Sequence, residues 1–138
     1  MLLVDTGPLL AVADRSNAHH EACRQLLEAE PGPLVTSGMV IAEAAYLICR
    51  QLGPRAEAQL YQALAASELV VEHLAGPDWS RVHQLVSEYT SLPLGGTDAS
   101  LVALAERLGL TRIATLDRRH FTVVRPRHCD ALDLLPQV

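Results

Sequence analysis

The sequence predicts a three-layer α/β domain built on a mainly parallel sheet. Two observations carry this. Short apolar runs such as Leu2–Val4, residues 33–37 and residues 112–116 alternate with longer segments whose apolar residues recur at helical spacing. Gly, Pro, Ser and Asp punctuate the junctions, with no internal repeat, linker or low-complexity tract. At 138 residues, 49% of them apolar, the chain is one domain over 1–138. A chain of this length buries about two-thirds of its unfolded surface and needs no disulfide or metal to fold.

The elements follow in order. Residues 2–4 form a buried strand stopped by Asp5-Thr6-Gly7-Pro8, and Pro8 suits the first turn of a helix over 9–14. Ser16 or Asn17 caps a second helix through Glu28, broken by Pro31-Gly32-Pro33. After a strand at 33–37, Ser37 caps a helix from Gly38 to Gln51 whose apolar face includes Val40, Ala44, Leu47 and Ile48. Gly53-Pro54 opens another helix through Ala66, and residues 68–74 have strand composition. Gly76-Pro77-Asp78 begins a helix carrying Val82, Leu85, Val86 and Tyr89, with Trp79 read as a packing residue at its start. Thr97 caps the helix 98–108, and Gly109 is its stop. Residues 112–116 are a strand ending at Asp117, residues 122–124 another, and the tail 131–135 a last strand or a cover for the core.

Composition narrows the function. Cys23, Cys49 and Cys129 are odd in number, widely spaced and beside apolar residues. They form neither a disulfide framework nor a metal motif, and this usage suits a reducing, cytoplasmic setting. The N-terminus lacks the basic region of a signal peptide, and no apolar run is long enough for a membrane span. A net charge of −5 at first opposes a nucleic-acid partner. However, all basic residues are arginine, the better phosphate fork. Arg112, Arg118, Arg119, Arg125 and Arg127 fall in one stretch whose only acid is Asp117. Aromatics at 4% do not indicate a base-stacking platform. There is no GxGxxG, and without lysine neither a P-loop nor a phosphoacceptor receiver is possible.

The acids are more informative. Asp5 and Asp117 each follow a strand, where open parallel sheets bind ligands. Asp98 lies in the first turn of a helix, where the dipole favours an anion. Glu43 interrupts an apolar helix among Ala42, Ala44 and Ala45, which leaves room for a ligand to approach. Singly, each has a plain alternative: a cap for Asp5, an ordinary first-turn acid for Asp98, a solvated helix position for Glu43 and a turn residue for Asp117. Together they converge on one sheet edge, and clustered carboxylates require a counter-charge. An all-oxygen set suits Mg²⁺ or Mn²⁺. His19 and His20, being adjacent, face different ways on a helix, and His73 and His83 have no ligand spacing.

The segments LLVDTGPLLAVADRSNAHHEAC, VTSGMVIAEAAYLI, TDASLVALAERLGL and RIATLDRRHF, in that order, resemble a PIN domain, and more narrowly the VapC-type toxins of bacterial toxin–antitoxin pairs. The resemblance implies a sheet of order 3-2-1-4-5. It also implies Mg²⁺- or Mn²⁺-dependent endoribonuclease activity on tRNA or ribosomal RNA, a homodimer and a cognate antitoxin. Residue by residue, it assigns Asp5, Glu43, Asp98 and Asp117 to the catalytic and metal-binding set. Thr6, Ser37 and Thr115 become hydroxyls that orient those carboxylates or their waters. Arg112, Arg118, Arg119, His120 and Arg125 are expected to contact RNA, with a solvated turn as the alternative for His120. Two departures stand out. Many relatives carry acids where this chain has Gly95 and His120, which points to weaker metal binding and one ion rather than two. The same departures motivate a second reading, a catalytically weak module that binds RNA or protein. A structure-specific DNA nuclease fits less well, because the chain lacks the length for a DNA-clamping insert.

Overall fold

Five parallel strands form the centre of the domain in a computed structural model that describes residues 1–137. They are β1 (Leu2–Val4), β2 (Leu34–Thr36), β3 (Val70–Val71), β4 (Arg112–Ala114) and β5 (Asp133–Leu135), in the order β3-β2-β1-β4-β5. The expected order and layering are therefore present. Strands this short pair only two or three residues, as in Leu3↔Val35 and Leu3↔Ile113. Stability must come from the layers that cover them.

Successive strand side chains point to opposite faces and divide the core in two. Leu3, Val35, Ile113 and Leu134 pack with α5 (Gly76–Glu88), α6 (Gly96–Leu108) and Phe121 on one side. Leu2, Val4 and Ala114 pack on the other, with α1 (Thr6–Ala13), α2 (His20–Ala29), α3 (Gly38–Leu52) and α4 (Pro54–Ala65). Helix α3 joins the layers, since Val40 belongs to the first cluster and Ala44, Ala45 and Ile48 to the second. Helix α6 is buried on every side from Ala99 to Ala105 and lacks the single apolar stripe of a surface helix.

Local chemistry explains most boundaries. Ser37 caps α3 as expected, accepting from Val40 N at 3.2 Å. Gly109 ends α6 in the left-handed conformation, φ 69°. Helix α1 begins at Thr6 rather than 9, because Asp5 caps it. Helix α2 starts only at His20, since Asp14 and Asn17 spend their side chains on a turn, accepting from Ser16 N and His19 N. Thr97 lies inside α6, which starts from Gly95 with no side-chain cap. Only Val70–Val71 of the expected 68–74 strand pairs.

The largest correction concerns residues 122–124. They are not a strand but the end of a helix, α7 (Arg118–Val123), with Phe121 and Val124 buried at 1% exposure. Burial of these side chains overrides the β-preference of Thr-Val-Val. Trp79, expected to pack, is 51% exposed.

Candidate metal centre

The site lies beyond the carboxyl ends of β1 and β4, where strand order reverses. A cavity of about 660 Å³ there is lined by Asp5, Thr6, Glu43, Asp98, Asp117, Arg119 and His120, among others. All four predicted acids therefore reach one cavity from four separate segments.

Asp5 leaves β1 and turns directly into α1. One carboxylate oxygen accepts from Thr6 N at 2.7 Å, closing the helix start, and the other accepts from Thr115 Oγ1 at 2.8 Å. The capping and site readings of this residue are both true, because each uses a different oxygen. Burial pushes its carboxyl up to about 6, with the Asp98 and Glu43 charges adding to the effect and the hydrogen bonds from Thr115 and Thr6 opposing it. Asp98 sits in the first turn of α6, and burial raises its carboxyl as well, against the hydrogen bond from His120. Asp117 follows β4 and precedes α7, with its backbone N–H donating to Thr115 Oγ1 at 3.1 Å. Thr115 thus links the ends of the two central strands. Glu43 is exposed on α3, and its carboxylate accepts from Thr6 Oγ1 at 2.6 Å.

The tightest group was not anticipated. Ligating atoms of Asp98, Asp117 and His120 all lie within 4.8 Å of one another. His120 Nδ1 is 2.6 Å from Asp98 Oδ2 and 3.1 Å from Asp117 Oδ2, and the residue is 9% exposed. This excludes the solvated-turn alternative and turns the imidazole toward the acids. The signal was present as Asp117-x-x-His120, an i,i+3 pair on one helical face, once α7 is recognised as a helix.

Other expected residues lie elsewhere. Ser37 is buried, but its hydroxyl meets Ser100 Oγ at 2.8 Å and none of the acids. Arg112 begins β4 at the opposite end of the sheet and pairs with Glu30 at 3.0 Å. With Arg118 and Arg125 it lines a separate groove, and Arg118 donates to Pro136 O at 3.3 Å. Of the expected RNA-contacting set, only Arg119 and His120 line the acidic cavity.

The donor set fits a divalent cation. Four carboxylates lining one cavity, with Asp5 buried, favour a positive charge among them, and hydroxyl and backbone bonds hold Asp5 and Glu43 in place for it.

The chain and its fold are similar to those of known proteins. The family profile described as PIN domain matches residues 2–125. Ribonuclease VapC26 of Mycobacterium tuberculosis is 32% identical over 125 residues, spanning 91% of this chain and 93% of its own. Among solved structures, the Mycobacterium tuberculosis toxin VapC20, described as cleaving the sarcin-ricin loop, superposes with a TM-score of 0.81 at 20% identity, covering 89% of this chain and 95% of its own. FitAcB from Neisseria gonorrhoeae gives 0.62 at 17% identity, covering 99% and 97%.

Proposed function

This chain belongs to the PIN-domain family, and from that premise we propose that it is a metal-dependent endoribonuclease, the toxin of a toxin–antitoxin pair. The observation that carries the reading is the convergence of Asp5, Glu43, Asp98 and Asp117 on one cavity at the switch point of the sheet. The relation to a curated ribonuclease across nine-tenths of both chains supports it.

Asp5, Asp98 and Asp117 would hold Mg²⁺ or Mn²⁺, with Glu43 direct or through water. When bound, such an ion activates water and stabilises charge on the phosphoryl oxygen in an in-line displacement. The chain's own residues do the rest. Thr115 and the Thr6 N–H fix Asp5 from two directions, and Thr6 Oγ1 fixes Glu43. Glu43, the exposed acid, would help orient the attacking hydroxide. Arg119, on the cavity wall, is positioned to meet a substrate phosphate. Arg118 and Arg125, on the groove beside β5, extend that contact along the RNA backbone. The substrate class is tRNA or ribosomal RNA. The reading includes a homodimer and an antitoxin in the cytoplasm. The exposed Tyr46 and Trp79 are large apolar side chains suited to such contacts. No helix among the described residues is long and apolar enough to cross a membrane.

The test is cleavage of total cellular RNA by antitoxin-free protein with Mg²⁺, Mn²⁺ or EDTA, beside Asp98→Asn. Discrete fragments that require metal and vanish in the variant are expected. Full cleavage by Asp98→Asn would sink the proposal. Binding of RNA by folded protein with no cleavage under either metal would favour the catalytically weak module that Gly95 and His120 suggest.

A further inference from the structure

We propose that His120 is itself a metal ligand, through Nδ1, and that it shifts the centre's preference away from Mg²⁺ toward later first-row ions such as Co²⁺. The inference rests on the metal-centre reading above and deepens it.

Two observations carry it. First, His120 is not a surface residue that happens to lie nearby: at 9% exposure it sits on α7 with Nδ1 turned to Asp98, in the first turn of α6, and to Asp117. Second, the spacing matches that of neighbouring ligands. Two donors at right angles, each about 2.1 Å from one ion, lie about 3 Å apart. Nδ1 stands 2.6 Å from Asp98 and 3.1 Å from Asp117. Nδ1 now meets the Asp98 carboxylate in a hydrogen bond, and a cation held by all three groups would replace that contact. The remaining lining of the cavity contains no other histidine or cysteine.

The consequence is chemical. Three carboxylates offer an all-oxygen set that suits Mg²⁺. The same carboxylates with an added imidazole form a mixed set. Imidazole binds later first-row ions better than Mg²⁺, and affinity for such sites rises along the series from Mn²⁺ through Co²⁺. His120 therefore determines which ion the centre selects, as well as whether one binds.

The test uses the whole protein, with Co²⁺ and Mg²⁺ as probes. Proton NMR of the Co²⁺-loaded protein is expected to show a strongly shifted, exchangeable imidazole N–H resonance, absent from His120→Asn. Calorimetry is expected to show the Co²⁺-over-Mg²⁺ preference falling about tenfold or more in His120→Asp. Asp98→Asn, the control, should lose both ions. Because the resonance is read on the unaltered chain, a poorly folding His120 variant does not blunt the test. Co²⁺ bound with no shifted imidazole resonance would overturn the role of His120 and leave the metal-nuclease reading standing. No binding of either ion by the unaltered protein would overturn both.

Discussion

Thr115 and Asp5 lie 110 residues apart in the chain, yet the threonine hydroxyl donates to the aspartate carboxylate at 2.8 Å in a buried setting. The same oxygen accepts from Asp117 N, so one side chain ties the ends of β1 and β4 together. Thr115→Val keeps the shape and removes the bond. Loss of a hydrogen bond to a buried carboxylate is expected to cost about 1–3 kcal/mol in a denaturant titration. Metal affinity should fall about tenfold by calorimetry, because the carboxylate is no longer oriented.

Asp5 also makes stability depend on pH. In the metal-free folded protein its carboxyl titrates at about 6, against an ordinary value of 3.8. Between those values the folded protein keeps a proton that the unfolded chain has released, so stability falls as pH rises through that window. The loss attributable to this group is about 3 kcal/mol. The raised Asp98 carboxyl acts in the same direction. Urea titrations in EDTA between pH 4 and pH 7.5 should show this component. Asp5→Asn should flatten it while abolishing metal binding.

Gly95 is a position where an acid can be introduced. Its backbone is ordinary, φ −82° and ψ 165°, and an added Cβ meets nothing within 4 Å. Gly95→Asp is therefore expected to fold normally, with an unchanged far-UV spectrum. It should bind Mg²⁺ more tightly, or bind a second ion, as read from calorimetric affinity and stoichiometry. The neighbouring Gly96 is different, because a Cβ there would come within 2.9 Å of the Met39 methyl.

Away from the site, Arg81 grips Glu106 with two bonds, at 2.8 and 2.9 Å, and both side chains are largely buried. Glu106→Ala would leave the guanidinium without its partner and free Arg127 N as well. A destabilisation of about 3 kcal/mol is expected by thermal denaturation, with RNA cleavage by the remaining folded protein unchanged.

The sequence showed the frame of the site more clearly than its inner contacts. Asp5 and Asp117 were recognisable together and not singly, because each follows a strand and sheet topology brings the ends of those two strands side by side. The contact of His120 with Asp98 and Asp117 was not, because it depends on α7. That helix has six residues, no capping side chain and a β-branched end, so local propensity argues against it. What holds it is the burial of Phe121 and Val124, a tertiary fact. Arg112 was grouped with the other arginines by nearness in sequence, but a strand carries its two ends to opposite edges of the sheet. Arg112 starts β4 beside Glu30, while Asp117 lies past the other end.

Helix α6, enclosed on every side from Ala99 to Ala105, gives the site one further property. Backbone amides in such a helix exchange with solvent only when the whole domain opens. Asp98 belongs to this cooperative unit, not to a loop that opens by itself. Any cation gripped there must slow deuterium uptake through the enclosed part of the helix by the factor 1 + [L]/Kd, which is a rise of RT ln(1 + [L]/Kd) in the free energy of opening. The interior of α6 thus serves as a built-in gauge of site occupancy, readable by exchange mass spectrometry with no substrate present.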